Sequence, residues 1–202
     1  IIIAFLGLEL IMVQCNSGNE LAFFIHADWG KGGYDGYQSN RRLSDLDDVD
    51  RQLKDSSSSS SSGGGGGGKN GGGQKKVYYQ GRIADSMSYI AQTTKPSFIM
   101  ALGDNFYANG VSSTTDWHWK TFYRDVYYNQ FETLKGIPWH AAIGNHDLGY
   151  GDAGIQAQVD RTYEHTNDDN GEWNMPAYNY TVKYKIPGGG YVQIIVVDTT
   201  TL

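Results

Sequence analysis

The sequence predicts an α/β fold built on a parallel β-sheet. Three apolar runs, at residues 21–25, 97–102 and 137–143, have the length of buried strands, and each soon gives way to small and polar residues. Segments with helical spacing of apolar residues separate the runs, so the order along the chain is strand, helix, strand, helix, strand. Right-handed crossovers between parallel strands require this order.

The first predicted helix covers residues 80–94. Ile83, Met87 and Ile90 recur there at helical spacing, with polar residues between them. Because proline cannot continue a helix, we expect the helix to end before Pro96 and the strand at 97–102 to follow.

A second helical pattern lies ahead of the third strand. Trp119, Phe122 and Val126 share one face of this predicted helix. Near the end of the chain, residues 191–197 form a further apolar run that reaches Asp198, and this run predicts another strand.

A low-complexity tract interrupts the globular part of the chain. Seven consecutive serines at 56–62 run into six glycines at 63–68, and the residues upstream are acidic. Such a segment buries too little apolar surface to offset the entropy lost when its chain is ordered. We therefore predict a disordered Ser/Gly-rich insertion at about 38–74.

The net charge of −6 argues against a nucleic-acid partner, because the chain has no stripe of Lys and Arg that could release counterions from a phosphate backbone. A small anionic substrate remains compatible with this charge, since bound metal ions can reverse the local potential.

The N-terminal residues 1–13 are apolar except for Glu9. This length suits the hydrophobic region of a secretory signal and falls short of the ~20 residues that a membrane-spanning helix needs. We predict a truncated signal peptide at 1–17, no stable membrane span, and one domain at 18–202. A buried first strand is the alternative interpretation of the apolar run.

Two further features bear on the secretory route. Asn179 begins an Asn-Tyr-Thr sequon, which would accept an N-glycan on that route. Cys15 is the single cysteine, so the chain supports neither a disulfide framework nor a thiolate metal site.

The three strand ends carry polar side chains that are possible metal ligands. They are Asp28 after the first run, Asp104 and Tyr107 after the second, and Asn145 and His146 after the third. Because ligands bind at the carboxyl ends of parallel strands, we expect these side chains to lie together. Carboxylate and phenolate oxygens are hard donors suited to iron. Two metal ions bridged by Asp104 would explain why charged donors lie on one side of it and neutral donors on the other.

These motifs resemble the signature of the purple acid phosphatases, within the calcineurin-like metallophosphoesterases, and are most similar to the tartrate-resistant type. Asp-x-Gly is met at 28–30, Gly-Asp-x-x-Tyr at 103–107, and Gly-Asn-His-Asp/Glu at 144–147. Trp-Asn-Met-Pro at 173–176 is a supporting match, and the resemblance extends over 21–202 with the insertion as an interruption.

The resemblance implies the N-terminal part of a metallophosphoesterase-type α/β/β/α sandwich with a dinuclear metal centre. Asp28 and Tyr107 would hold Fe(III), and Asp104 would bridge the two metals. Asn145 would bind the divalent partner, which is iron, zinc or manganese in this family. The charges of the two metals, their anionic ligands and one hydroxide would sum to about one positive charge, and this charge would attract a phosphate dianion.

The same resemblance assigns roles at the third strand end and an activity. His146 would contact the phosphate and help the leaving group depart, and Asp147 would orient His146. The implied enzyme is a secreted or lysosomal/vacuolar acid phosphatase that hydrolyses phosphate monoesters with a metal-bound hydroxide. Two alternatives stay open: a related enzyme acting on phosphodiesters or phosphoproteins, which usually lacks the counterpart of Tyr107, and a catalytically incomplete secreted glycoprotein.

The chain departs from the family pattern at several places. Ala27 stands where a glycine is common, and Leu148 where some members have His or Tyr. The later Val-x-x-His and Gly-His-x-His motifs, which supply three histidine ligands, have no counterpart before Leu202. We therefore expect the domain to be incomplete at its C-terminus, and this length of chain alone to bind metal poorly and to be inactive.

Overall fold

The computed structural model describes four stretches of the 202-residue chain, namely 11–13, 21–30, 79–164 and 171–201. The predicted Ser/Gly-rich insertion at about 38–74, Cys15 and most of the predicted signal peptide at 1–17 lie outside the described residues.

A five-stranded sheet forms the centre of the described fold. Its strands, in spatial as well as chain order, are β1 (Ile11–Val13), β2 (Phe23–His26), β3 (Ile99–Ala101), β4 (Trp139–Ala141) and β5 (Trp173–Asn174). Strands β2 to β5 pair in parallel, whereas β1 pairs antiparallel with β2. The parallel core confirms the predicted α/β class, and it brings the carboxyl ends of β2, β3 and β4 to one edge.

Strand β1 comes from the N-terminal apolar run. Ile11 pairs with Ile25 and Val13 with Phe23. For these three residues the structure therefore has a strand, as in the alternative interpretation of the run. The signal peptide at 1–17 stays a prediction.

Two α-helices and a π-helix pack on one face of the central sheet. The α-helices are α1 (Tyr79–Thr94) and α2 (Gly151–Arg161), and the π-helix is Trp119–Tyr128. Helix α1 confirms the prediction for 80–94. Helix α2 was not predicted.

The second predicted helix exists, but it is wound as a π-helix. Its closing bond runs from the Asn129 N–H to the Arg124 carbonyl, five residues back. This wider turn aligns residues four and five apart, and so Tyr123 and Tyr127 are buried while Phe122 is only half-buried. Of the three residues predicted to share a face, Trp119 and Val126 are buried as expected, and only Phe122 is not.

The two faces of the sheet pack against different partners. Phe24, Ile99 and Trp139 join the core formed with the helices. Phe98, one residue away from Ile99, belongs to a second core with Ile194 and Val196. This alternation is the two-residue period of strands buried on both faces.

An antiparallel hairpin covers the second face. It consists of β6 (Tyr180–Lys185) and β7 (Tyr191–Val196), which pair as a separate two-stranded sheet. The strand predicted at 191–197 thus exists, but outside the parallel sheet. Helices, central sheet and hairpin together form an α/β/β layering, which agrees with the predicted sandwich.

Short 3₁₀ helices at Glu132–Leu134 and Asn145–Tyr150 complete the elements. Among the helices that the structure describes, none combines the length and the apolar character that crossing a membrane requires.

Candidate metal centre

The loops after β2, β3 and β4 meet at one edge of the sheet, as the sequence predicted. The Asp28 N–H donates to the Gly103 carbonyl at 3.3 Å, and the Tyr107 N–H donates to the Gly30 carbonyl at 3.1 Å. Asp28 and Asp104 both adopt positive φ angles, 52° and 50°, which non-glycine residues rarely do. Such strained backbone is typical of functional sites.

Glycines allow the three loops to approach so closely. A Cβ on Gly30 would lie 1.9 Å from the Asn105 carbonyl oxygen, and a Cβ on Gly144 would lie 2.0 Å from the Asp104 nitrogen. The first contact explains the glycine of the Asp-x-Gly motif, and the second explains the glycine of Gly-Asn-His-Asp. In both motifs the glycine, which has no Cβ, allows the backbones of two loops to touch.

The Tyr107 hydroxyl joins the two carboxylates. It lies 2.6 Å from Asp28 Oδ1 and 2.8 Å from Asp104 Oδ2, and all three side chains are half-buried. Burial first, and then the two carboxylates, raise the pKa of Tyr107 above its ordinary value. A phenol has one proton, so it cannot donate fully to both acceptors at once.

This donor set fits a hard cation. Three oxygens converge, two of them on carboxylates, and a bound cation would stabilise the negative charge and favour the tyrosinate. Within the described ranges, no group of three or more His, Cys, Asp and Glu side chains is placed to hold a metal ion. The candidate centre therefore depends on Tyr107 as its third donor.

Asn145 and His146 lie directly beside Asp104. The His146 N–H donates to Asp104 Oδ1 at 2.9 Å, and Gly144 contacts the Asp104 backbone. Asn145 stands between these two contacts, and its side chain is exposed. The two Asp104 oxygens thus accept from different partners, Oδ2 from the Tyr107 hydroxyl and Oδ1 from the His146 backbone, so Asp104 joins the loops after β3 and β4.

The His146 ring is held by a backbone carbonyl. His146 Nδ1 lies 2.8 Å from the Ala108 oxygen, and the ring centroid lies 4.3 Å from that of Tyr107. A carbonyl oxygen only accepts hydrogen bonds, so Nδ1 must carry a proton. This assignment leaves Nε2 as the nitrogen available to a ligand.

Asp147 does not orient the His146 ring as expected, because its side chain turns into the core. Its fully buried carboxylate accepts N–H groups from Gly144 at 2.9 Å, Asn105 at 3.1 Å and Phe106 at 3.2 Å. The Gln158 amide adds a further bond at 3.1 Å. Burial raises the pKa of Asp147 to about 6, and the hydrogen bonds from these donors lower it in part. The carboxylate ties the loops after β3 and β4 together.

Sequence reasoning missed Asn105 and Gln158, although both are fully buried next to the site. Asn105 lies inside the Gly-Asp-x-x-Tyr motif at a variable position, so the motif gave no signal for it. Its Oδ1 accepts from Trp29 Nε1 at 3.2 Å, which adds the loop after β2 to the same network.

His26 belongs to the packing of the core. Its Nε2 lies 2.9 Å from the Tyr127 hydroxyl, and burial lowers its pKa to about 3. The neutral ring therefore contributes to the packing between β2 and the π-helix.

Known proteins are similar to this chain in sequence. The calcineurin-like phosphoesterase family profile matches residues 78–200. Tartrate-resistant acid phosphatase type 5 of Sus scrofa is 34% identical over 121 residues, which is 59% of this chain and 32% of that protein. The Homo sapiens protein of the same name is 33% identical over 121 residues, 59% of this chain and 34% of that protein. Purple acid phosphatase 3 of Arabidopsis thaliana is 33% identical over 72 residues, 35% of this chain and 18% of that protein.

The chain spans about a third of the length of the tartrate-resistant relatives, 32% in the Sus scrofa case. These similarities confirm the predicted resemblance to the purple acid phosphatases. The family profile covers more than half of the chain, and the layered α/β fold with its three strand-end loops agrees with it. The chain therefore belongs to the calcineurin-like phosphoesterases.

Proposed function

We propose that this chain is part of an acid phosphatase that hydrolyses phosphate monoesters at a dinuclear metal centre. The observation that carries the proposal is the convergence of the Tyr107 hydroxyl on Asp28 and Asp104, at 2.6 and 2.8 Å. The acid phosphatases named above supply the reaction class, and the tyrosine distinguishes the site from that of relatives acting on diesters or phosphoproteins.

The residues divide between two metal positions. Asp28 and Tyr107 would hold Fe(III), Asp104 would serve both metals, and Asn145 would hold a divalent iron, zinc or manganese ion. When bound, the metals supply Lewis acidity and lower the pKa of the attacking water. The anionic donors on the ferric side match its higher charge, and the amide of Asn145 adds none.

His146 has the position and the free nitrogen for acid catalysis at the leaving group. Because the Ala108 carbonyl holds Nδ1–H, the Nε2 of a protonated ring can donate to the ester oxygen that departs. The contact between the His146 and Tyr107 rings supports a place for the His146 ring beside the proposed centre.

The test compares a monoester with a diester. The whole protein of which this chain is proposed to be part, loaded with Fe(III) and Zn²⁺, is assayed with p-nitrophenyl phosphate and with bis(p-nitrophenyl) phosphate at equal concentrations. We expect hydrolysis of the monoester that is lost in Asp104→Asn and retained in Asp125→Asn, a surface variant. Faster hydrolysis of the diester would support the alternative enzyme, and metal binding without hydrolysis of either would support the incomplete glycoprotein.

A secretory or lysosomal/vacuolar route is part of the proposal. Asn179 is exposed at the start of β6, and its Oδ1 accepts the Asp198 N–H at 2.8 Å, so this bond does not use the Nδ2 atom that a glycan would modify. Expression through a secretory pathway should give a glycosidase-sensitive mass increase that Asn179→Gln abolishes. An unmodified secreted chain would contradict the glycan.

A further inference from the structure

We propose that Gln158, which lies outside every motif of the sequence, is a positioning residue of the metal centre; the inference rests on the proposed function. Gln158 is fully buried on α2, 11 residues after Asp147. A buried amide destabilises the fold unless both of its ends are hydrogen-bonded. The partners of Gln158 therefore explain why a glutamine stands at this position.

Both ends of the Gln158 amide bond to the residues that hold the ligand loops. Its Nε2 donates to Asp147 Oδ1 at 3.1 Å, and its Oε1 accepts from Asn105 Nδ2 at 3.2 Å. The backbone carbonyl of Gln158 accepts in turn from Trp173 Nε1 at 3.0 Å, which holds this turn of the helix in place. Helix α2 thus carries a side-chain amide that is hydrogen-bonded at both ends and contacts the site from the helical layer.

Gln158 is hydrogen-bonded to the side chains of two residues that lie next to proposed metal ligands, or close to them, in the sequence. Asn105 follows Asp104 directly, and Asp147 lies two residues after Asn145. The Asp147 carboxylate accepts the backbone N–H groups of Asn105 and Gly144, which flank these ligand positions. Gln158 therefore fixes Asp104 relative to Asn145 without touching either ligand.

Gln158 is one of three acceptors that orient the Asn105 amide, together with the Ala142 carbonyl and the Asp147 carboxylate, which lies 3.3 Å from Asn105 Nδ2. The Asn105 amide has to donate from Nδ2, because Gln158 Oε1 and the Ala142 carbonyl, at 2.8 Å, both accept from it. Asn105 Oδ1 is then directed at Trp29 Nε1, next to Asp28. The Gln158 amide is therefore part of a hydrogen-bond network that includes groups from all three ligand loops.

The test replaces the glutamine by a side chain of similar length and volume that cannot form either bond. Gln158→Met leaves Asp147 with its backbone donors and Asn105 with the Ala142 carbonyl, so we expect the chain to fold. Gln156→Met is the matched control, because Gln156 is exposed on the same helix and bonds only within it, to Asp160.

The first measurement is amide hydrogen exchange in the metal-free chain. In Gln158→Met we expect exchange at Asn105 and Gly144 to rise about tenfold. The amide of Leu102, just after β3, donates to the His26 carbonyl and should stay as in the wild type, and the control variant should change none of the three. Unchanged exchange at Asn105 and Gly144 would overturn the inference. Equal acceleration at all three amides would also overturn it, because that result indicates general destabilisation.

The second measurement, made in the whole protein that contains this chain, is the affinity for Mn²⁺ alone, followed by the electron paramagnetic resonance signal of the free ion. We expect Gln158→Met to weaken binding about tenfold and Gln156→Met to leave it unchanged. Equal affinity in all three proteins would overturn the positioning role. A wild-type chain that binds no Mn²⁺ would count against the proposed metal centre, and the exchange result would then decide the role of Gln158 separately.

Discussion

The Tyr107 hydroxyl lies 2.6 Å from the Asp28 carboxylate, although 79 positions separate the two residues in the chain. The contact joins the loops after two neighbouring parallel strands, β2 and β3. It gives the candidate centre its third oxygen donor, because the second carboxylate, Asp104, lies 2.8 Å from the same hydroxyl. The proposed ferric position can be tested through this one atom.

Tyr107→Phe should abolish the colour of the iron-loaded chain. Charge transfer from tyrosinate to Fe(III) absorbs visible light, and this variant has no phenolic oxygen at the site. We expect a violet band on addition of Fe(III) to the wild type and none in the variant, measured by absorption spectroscopy. Tyr89→Phe, on the exposed side of α1, is the control and should keep the band. A band that persists in Tyr107→Phe would place another tyrosine on the iron.

Gly144→Ala should destabilise the metal-free chain more than Gly136→Ala. Gly144 has an ordinary φ of −109°, but a Cβ there would lie 2.0 Å from the Asp104 nitrogen. Gly136 has open space around it and a φ of +74°, so alanine there costs only about 1 kcal/mol of backbone strain. We expect Gly144→Ala to cost roughly 3 kcal/mol or more by urea unfolding. Equal costs would mean that the loops separate without penalty.

The strand ends could be predicted because their chemistry is local. Asp28, Asp104 and Tyr107 follow apolar runs in parallel strands, and topology alone then brings them to one edge. The loop contacts could not be predicted in the same way. That Asp147 turns inward to backbone N–H groups, and that the Ala108 carbonyl holds the His146 ring, depend on how the loops pack against each other.

Helix α2 escaped prediction for a related reason. Gln158 is buried there and Gly154 packs against the Val111 carbonyl, so polar and small residues stand where an apolar stripe would mark a helix. Strand β6 was missed as well, because its residues are half-buried or exposed in alternation and none is fully buried. In both elements the tertiary partner decides the structure, and the local pattern is weak.

His146→Gln should lower the rate of phosphate monoester hydrolysis without weakening metal binding. The Ala108 carbonyl holds Nδ1, so Nε2 is the nitrogen that can assist the leaving group, and glutamine cannot donate a proton as an acid. In the whole protein that contains this chain, we expect kcat to fall about 100-fold with p-nitrophenyl phosphate while the affinity for Mn²⁺ stays within about twofold. A variant with unchanged kcat would remove His146 from the reaction, and a large loss of Mn²⁺ affinity would indicate a ligand role instead.

His140 should make the folded chain less stable as the pH falls from neutral to about 4. The ring is buried between the central sheet and the hairpin, with Nε2 at 2.6 Å from the Tyr184 hydroxyl and no partner for Nδ1 among the described residues. Burial lowers the pKa of His140 from 6.5 to about 4. The unfolded chain therefore takes up a proton below pH 6.5 that the folded chain refuses until about pH 4, and stability falls across this window.

The measurement is urea unfolding at intervals between pH 7 and pH 4 without metal. We expect His140→Phe to remove a pH-dependent loss of about 3 kcal/mol, because phenylalanine does not titrate. Tyr184→Phe is the matched control: it removes the hydrogen bond and keeps the buried imidazole, so it should lower stability at every pH and leave the slope unchanged. If His140→Phe had the slope of the wild type, other groups would be responsible for the acid sensitivity. If Tyr184→Phe flattened the slope, the hydrogen bond rather than burial would set the pKa of His140.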